Sequence, residues 1–350
     1  MNKLFSEFNP ISKKKWLEKI KIDANGKINE LFSKSEGIKI NPIYHSEDNY
    51  KTYNINFPVD WEAYQLIDAT NTKKANKKAL TALKNDISGI CFSNPNNLDE
   101  LLNNISIEHI RIDFSNYSKD FPKKWEIYTK NKNVKGAFHS TANSNLPNYL
   151  TTITTKGTAK EQIAEALQKG LIASNNIQFH FKIGSNYFLE IAKLKAFRII
   201  WKEKTGKDAY IFASTETCNK TKESPYNNIL KSTTECMSAI FGGANAIMIN
   251  PYNSTFEKPT EHSERIAINQ QRILRCESHL DKVEDPSKGS YYIDYLIQQL
   301  LQDFEIHNNI KETTKDKEWR SPEGIKIQNR YTKKDISTIE HLNFVAGIPP

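Results

Sequence analysis

The sequence lacks the features of a secreted, disulfide-bonded or membrane-spanning chain. Its four cysteines are far apart and form no CxxC pair, so neither a zinc site nor a disulfide framework is indicated and a reducing compartment fits. No run approaches about 18 uninterrupted apolar residues, and Met1–Trp16 has no continuous apolar stretch of the secretory type. The sequence therefore predicts a cytoplasmic chain without a membrane span.

Nucleotide and metal motifs are missing as well. There is no P-loop, no GxGxxG after the first predicted strand, and no HxH, HExxH or DxDxDG spacing. The net charge is +8, which can mark a nucleic-acid partner, but the lysines are scattered and most segments also carry Glu or Asp. We interpret the charge as a lysine-rich solvated surface, with neither nucleic acid nor membrane as partner.

Short apolar runs alternate with helical patterns from about residue 60 onward. The 350 residues are 38% hydrophobic, which suffices for a core. Seven strands that are each followed by a helix predict an α/β fold, a (β/α)8 TIM-type barrel with one strand not located. A doubly wound open sheet is the alternative, which the missing GxGxxG disfavours. The predicted strands are 64–70, 87–93, 109–115, 134–140, 177–184, 209–214 and 245–250.

The helices between these strands have readable ends. Thr158 and Glu161 form a predicted capping box, and Gly170 is expected to end the helix that they start. Three more helices are expected at 187–201, 264–275 and 291–304.

A repeated motif divides the chain. EGIKINPIYHSED at 36–48 and EGIKIQNRYTKKD at 323–335 share EGIKI-x3-Y-x3-D in register. We expect an N-terminal extended arm over 1–55, the barrel over 56–305, and a short tail over 306–350 that repeats the arm motif. A chance match of two amphipathic strands is the alternative.

Few residues stand out as chemical groups. His180 and Lys182 alternate with apolar residues on a predicted strand, so they could orient a substrate, although the pattern favours a hydrogen-bonded polar layer. His139 follows a strand, where barrel enzymes place catalytic groups. Glu216 and Cys218 also follow a strand, but nothing in the sequence indicates an activated thiol. No metal site is predicted.

Several segments together resemble one enzyme family. From Ser224 the chain reads SPYNNILKSTTECMSAIFGGANAIMINPYNS, then KPTEHSERIAINQQRILRCESHLDKVEDPSKGSYYIDYL, and an earlier helix reads SNYFLEIAKLKAFRIIW. These are similar to the PYNN helix, GG turn, PTE-S-RIA helix, DP-x-x-GSYY turn and FxEIAKxRAxRxLW helix of the methylmalonyl-CoA mutases. The resemblance covers about residues 10–300.

That resemblance implies a (β/α)8 barrel which takes a CoA thioester along its axis. The family interconverts methylmalonyl-CoA and succinyl-CoA, a step of propionate metabolism. Adenosylcobalamin supplies the radical, so the cofactor carries the difficult chemistry.

At the family's catalytic and substrate-binding positions, the sequence departs from the family pattern. Met248 stands where the family has its catalytic histidine, and Phe212 where it has the arginine that binds the substrate carboxylate. Ser214 replaces a histidine and Glu216 a glutamine. We therefore expect no catalytic residue in this chain.

Other family positions are retained. Thr217 and Asn250 match, and Arg265 matches the first arginine of the RIARN run, in which Ile268 replaces the second. The resemblance implies that Arg265, Asn250 and Thr217 are the residues left for substrate binding.

The family's RGPYxTMY loop and its cobalamin-binding domain are both missing from the sequence, and no D-x-H occurs anywhere. These losses resemble the small, non-catalytic subunit of heterodimeric bacterial mutases, in which adenosylcobalamin is expected on the catalytic large subunit and none on this chain. The tail resembles the start of that large subunit. The alternatives are an active acyl-CoA isomerase with a shifted substrate and a CoA-ester binding module.

Overall fold

A computed structural model describes residues 10–53, 56–139, 146–173 and 176–306, together with the backbone of 319–320 and 326–327. The chain divides into two compact units, Met1–Ile306 and His307–Pro350. None of the described helices is long and apolar enough to cross a membrane. Most of the predicted tail lies outside the described residues.

The arm starts with a helix and a hairpin. Helix α1 (Lys13–Asp23) begins where the Ser12 hydroxyl accepts a hydrogen bond from the Lys15 amide at 3.4 Å. Strands β1 (Ser33–Ser35) and β2 (Ile38–Ile40) pair antiparallel. Between them Glu36 (φ 47°) and Gly37 (φ 84°) both adopt left-handed conformations, as a two-residue turn of type I′ requires.

The predicted (β/α)8 barrel is confirmed. Eight strands close on themselves, each parallel to its neighbours, and the last strand pairs with the first. They are β3 (Glu62–Asp68), β4 (Gly89–Ser93), β5 (Arg111–Ser115), β6 (Gly136–Phe138), β7 (Tyr149–Thr154), β8 (Ile177–Ile183), β9 (Tyr210–Thr215) and β10 (Ala246–Met248).

The strand that the sequence did not reveal is β7. Its sequence YLTTIT contains three threonines, so it reads as polar, although β-branched threonine suits a strand. Between β6 and β7 only residues 139 and 146–148 are described, and these form no helix.

The described residues of the unit Met1–Ile306 form eight further α-helices, and α8 continues into a π-helical turn, Ile273–Glu277. They are α2 (Thr72–Leu83), α3 (Leu98–Leu101), α4 (Phe121–Tyr128), α5 (Ala159–Ile172), α6 (Tyr187–Thr205), α7 (Asn227–Phe241), α8 (Glu261–Arg272) and α9 (Tyr291–Ile306).

The predicted capping box of α5 is confirmed, whereas the predicted end of this helix is wrong. The Thr158 hydroxyl accepts from the Glu161 amide at 3.3 Å, and the Glu161 carboxylate accepts from the Thr158 amide at 2.9 Å. Gly170 lies inside the helix. A Cβ there would lie 2.7 Å from the Trp201 ring and 2.9 Å from the Phe179 ring, so this glycine serves close packing and not helix termination.

The glycine pair before β10 packs against α6. A Cβ at Gly242 would lie 2.9 Å from the Leu194 side chain, and Gly243 has φ +79°. The buried Arg198 of α6 donates to the carbonyl of Gly243 and to that of Ala209, both at 2.9 Å. Arg198 thus donates to two backbone carbonyls that precede β9 and β10, and buried carbonyls need such donors.

Two other sequence motifs also have packing roles. Asn228 of the PYNN segment is fully buried and donates to the carbonyls of Thr221 at 2.8 Å and Tyr252 at 3.0 Å. The PTEHS segment caps α8, because Thr260 and Ser263 exchange hydrogen bonds between their amides and hydroxyls. The motifs therefore fix loops against the barrel.

Gly136 of β6 provides a test of this packing. A Cβ at this position would lie 1.8 Å from the backbone oxygen of Ile112, and a backbone atom within a closed sheet cannot move aside. We expect Gly136→Ala to lower the free energy of unfolding by about 3 kcal/mol, measured by urea denaturation. Gly184→Ala is the control, since its Cβ would meet only one carboxylate oxygen of Glu190, at 3.3 Å and not a backbone atom. Equal stabilities of the two variants would contradict the close approach of β6 to β5.

Candidate functional site in the barrel interior

Alternate side chains of the barrel strands face the interior, and many are polar. Three hydrogen bonds fix which face is interior, because they join strands that are not neighbours in the sheet: Tyr64 to Asp113, Gln178 to Asp113 and Tyr210 to Glu62. The interior set is Glu62, Tyr64, Cys91, Arg111, Asp113, Thr152, Gln178, His180, Tyr210, Phe212, Ser214, Ala246 and Met248, with His139 directly after β6.

Aromatic rings fill the axis around Phe212. Phe212 is fully buried, and the ring centroids of Tyr64, His139 and His180 lie 5.0, 5.2 and 5.1 Å from its own, all nearly perpendicular to it. Met248 packs into the same apolar cluster and is 7% exposed. Around Phe212 the axis of the barrel is therefore filled by packed side chains.

Gly89 makes room for this packing. A Cβ at Gly89 would lie 2.2 Å from the Tyr64 ring. The ring therefore lies directly on the backbone of β4, which only glycine allows.

A fully buried carboxylate organises the polar part of the interior. Asp113 of β5 accepts a hydrogen bond from the Tyr64 hydroxyl at 3.1 Å and from the Gln178 amide at 3.1 Å. The His139 Nε2 atom lies 2.8 Å from the same carboxylate. Asp113 thus joins three strands and the end of a fourth. Its hydrogen bonds compensate for the burial of its charge.

Arg111 of β5 provides a positive charge near the Asp113 carboxylate. Its guanidinium donates to the Tyr64 hydroxyl at 3.0 Å, lies 3.1 Å from the Glu62 carboxylate and stacks 4.5 Å above the Tyr210 ring. Burial by itself would lower the pKa of Arg111, but the surrounding tyrosines and carboxylates outweigh it and raise the pKa. Arg111 is therefore a permanent positive charge inside the barrel.

His180 is neutral. Its Nε2 atom lies 2.8 Å from the Ser214 hydroxyl and its Nδ1 atom 3.4 Å from the Thr154 hydroxyl. Burial lowers the pKa of His180 to about 3, and the neighbouring His139 and Lys182 add to that effect. His180 therefore lies in a hydrogen-bonded polar layer, which is one of the two interpretations of this residue that the sequence allowed.

Glu216 and Cys218 lie at the C-terminal end of β9. Burial acts to raise the pKa of Glu216, but the Thr217 amide and the charge of Lys182, 3.4 Å away, outweigh it and lower the pKa. Burial and the Glu216 charge raise the pKa of Cys218. Cys218 is therefore a thiol and not an activated thiolate.

Three positions aligned with the family's catalytic and substrate-binding residues, Phe212, Ser214 and Met248, lie on the adjacent strands β9 and β10. Across the β9–β10 pair, Phe212 lies opposite Ala246 and Ser214 opposite Met248. All four side chains belong to the buried interior.

The three residues predicted to bind substrate lie in different surroundings. The Asn250 side chain donates to the Thr215 carbonyl at 2.6 Å, and the Thr217 amide donates to the Glu216 carboxylate at 2.8 Å. Arg265 is exposed on α8, where its guanidinium lies 3.4 Å from His262. It lines a groove of about 540 Å³ on the outside of the barrel, beside lysines of α2.

Sequence reasoning missed the residues that dominate the interior, namely Tyr64, Arg111, Asp113 and Gln178. The available signal was the alternation in RIDFS, which places Arg111, Asp113 and Ser115 on one face of β5. Their partners are far away in the sequence and could not be paired by spacing. Among the described residues no group of three His, Cys, Asp or Glu side chains could hold a metal ion.

Comparison with known proteins gives one family. The family model described as methylmalonyl-CoA mutase matches residues 140–314, half of the chain. The small subunit of methylmalonyl-CoA mutase from Porphyromonas gingivalis is 29% identical over 85% of this chain and 62% of its own length. The methylmalonyl-CoA mutase of Rhizobium meliloti is 36% identical over 41% of this chain, and the mitochondrial enzyme of Homo sapiens is 36% identical over 37%.

The chain therefore spans less than two thirds of each of these relatives. It covers 22% of the Rhizobium meliloti enzyme and 19% of the human one.

The buried His180 predicts an acid-sensitive stability. Its folded pKa of about 3 lies below the ordinary value of 6.5, so below about pH 6.5 the unfolded chain binds a proton that the folded chain does not. The stabilising contribution is complete above that pH and is lost toward about pH 3, with a slope of about 1.4 kcal/mol per pH unit. His180→Gln should flatten the pH dependence of the unfolding free energy in this window, and His262→Gln, at an exposed position, should not. Identical slopes in His180→Gln and the wild type would contradict the burial.

Asp113 predicts a large loss of stability on substitution. In Asp113→Asn one carboxylate oxygen becomes an NH2 group, which cannot accept from Tyr64, His139 or Gln178, and Arg111 loses a counter-charge. We expect the free energy of unfolding to fall by about 3–5 kcal/mol, measured by urea denaturation. The control is Asp23→Asn, which removes an exposed ion pair with Lys19 and should cost less than about 1 kcal/mol. A similar small loss in both variants would refute the network.

Proposed function

The chain belongs to the methylmalonyl-CoA mutase family, and from this premise we propose that it is a small-subunit-like, non-catalytic chain of an adenosylcobalamin-dependent mutase. It pairs with a catalytic large subunit as a heterodimer that interconverts methylmalonyl-CoA and succinyl-CoA. Its arm, barrel and tail act as a scaffold. The four free cysteines fit the cytoplasm as its location.

The observation that carries the proposal is the packed axis. Phe212, where the resemblance aligns the carboxylate-binding arginine, is fully buried among the rings of Tyr64, His139 and His180. A phenyl ring offers no charge to a carboxylate, whereas a guanidinium binds both oxygens. A CoA ester on the family's path would have to displace this aromatic cluster.

The other polar groups are engaged with one another. Met248 has no hydrogen of the kind that a histidine donates to a developing oxyanion, and Glu216 would repel a carboxylate. His139, which lies where barrel enzymes place catalytic groups, is held by Asp113. These side chains support a structural role.

The described residues do not fit adenosylcobalamin. Ligation of cobalt needs an imidazole that faces open space, and both interior histidines, His139 and His180, pack edge-on against the fully buried ring of Phe212. The sequence contains no D-x-H. We place the cofactor on the partner subunit.

A mutase assay tests the proposal. The chain alone, supplied with adenosylcobalamin and methylmalonyl-CoA, should give no turnover and should co-purify with a catalytic large subunit in an active complex. Turnover by the chain alone, abolished by Met248→Ala but not by Met237→Ala on α7, would establish the alternative of an isomerase with a shifted substrate.

Thermal unfolding with CoA esters tests the other alternative, a CoA-ester binding module. Arg265 and the net positive charge are compatible with it, so an acyl-CoA is the ligand to try. A ligand at 100 times its Kd stabilises the folded state by about 2.7 kcal/mol, which is a clear shift. We expect no shift with methylmalonyl-CoA or succinyl-CoA. A shift that Arg265→Ala removes and Arg272→Ala keeps would favour the binding module.

A further inference from the structure

A groove opens on the outside of the barrel, next to the place where the sheet closes. Strand β10 pairs with β3, so α8, which follows β10, and α2, which follows β3, are neighbours around the barrel. Between them lies the groove of about 540 Å³ that Arg265 lines, which we call the α2–α8 groove. Small-molecule sites have volumes of about 300–1,000 Å³, so this groove is large enough for a ligand.

Gln65 of β3 forms the floor of the α2–α8 groove. Tyr64 faces the barrel interior, so alternation along the strand turns Gln65 outward. Its side chain lines the groove although the residue is only 9% exposed, and its buried Oε1 atom accepts no hydrogen bond from a described residue. An unpaired buried acceptor is unfavourable, and the terminal torsion of glutamine is soft enough to turn this oxygen to a ligand. The floor therefore favours a ligand that brings a hydrogen-bond donor.

The walls of the groove add further polar groups. Asn85, directly after α2, and Asn269 of α8 line it together with the Thr81 hydroxyl. Buried Ala82 and Ile268 supply a small apolar surface beside them. A carboxamide both donates and accepts hydrogen bonds, as does a hydroxyl group. This lining is suited to a small ligand with several hydroxyl groups.

The rim of the groove carries an excess of positive charge. Four cationic side chains and two carboxylates line it, namely Lys74, Lys77, Lys78, Arg265, Glu261 and Glu264. Lys78 of α2 is paired with Glu264 of α8, whereas the exposed Lys74 and Lys77 form no ion pair with a described residue. A phosphate monoester carries about 1.5 to 2 negative charges at pH 7, and lysine is a usual ligand of phosphate. The rim therefore matches the charge of one such group.

We propose that the α2–α8 groove binds a small polyhydroxy phosphomonoester, such as a sugar phosphate. Its phosphate group lies among Lys74, Lys77 and Arg265, and one of its hydroxyls donates to the Gln65 Oε1 atom. An acidic protein segment would contact the rim alone and would leave the buried amide unpaired. The groove lies outside the sheet, so this inference does not rest on the proposed function or on the filled axis.

Isothermal titration calorimetry of the full chain with ribose 5-phosphate tests the inference. Gln65→Leu should raise Kd at least about tenfold, because the ligand hydroxyl loses its acceptor. The thermal midpoint of this variant should not fall, since leucine removes the unpaired oxygen from the floor. Lys77→Ala should raise Kd about three- to tenfold, and Glu261→Gln should lower Kd about twofold, because it removes a negative charge from the rim.

The matched control is Lys84→Ala, the same change at an exposed lysine that directly follows α2 and does not line the groove. It should leave Kd unchanged. Inorganic phosphate should bind at least about tenfold more weakly than ribose 5-phosphate, since the floor and walls then contribute nothing. CoA, whose ribose keeps a single free hydroxyl beside its 3′-phosphate, should not compete.

Three results would overturn the inference. The first is absence of ribose 5-phosphate binding by the wild type. The second is an unchanged Kd in Gln65→Leu, or equal affinity for inorganic phosphate, because either would reduce the groove to a rim that attracts anions. The third is competition by CoA, which would assign the groove to the alternative of a CoA-ester binding module.

Discussion

The buried carboxylate of Asp113 is the interaction on which the barrel interior depends. Tyr64, Gln178 and His139 reach it from three other parts of the sheet, so one side chain ties the two sides of the barrel together. A buried charge is tolerated only when hydrogen bonds and a counter-charge surround it, and Arg111 supplies that counter-charge through the Tyr64 hydroxyl that both share. The network therefore has little freedom, because a change in any member leaves another without a partner.

Reactive side chains are present in the barrel interior, but they are not available to a ligand. The interior holds imidazoles, carboxylates and a guanidinium, the side chains of which active sites are made, and His139 lies at the end of a strand where barrel enzymes keep their chemistry. Each of these groups is already bonded to another side chain, and Phe212 occupies the space between the imidazoles. An inventory of residue types would indicate an active site, whereas the geometry indicates a core.

The sequence predicted the barrel because strand periodicity is a local property. Seven strands were visible as apolar runs, and β7 was not, since its threonines hide a strand that packs through Tyr149 and Ile153. Gly170 was read as a helix end because nothing in the sequence shows that Trp201 lies against it. The interior network was missed for the same reason. Asp113 and Gln178 are brought together only by closure of the sheet, and no spacing rule encodes that contact.

The family resemblance is carried by residues other than those that decide activity. Gly242 and Gly243 fit against α6, Asn228 fastens two loops, and Thr260 with Ser263 caps α8. All of these contacts lie outside the strand interior, and they would be the same around a hollow barrel or a filled one. Interior and exterior faces alternate along each strand, so the inner set can change from substrate contacts to a packed core without disturbing the outer set. A chain can therefore keep the packing motifs of its family while its axis, at Phe212 and Met248, is filled.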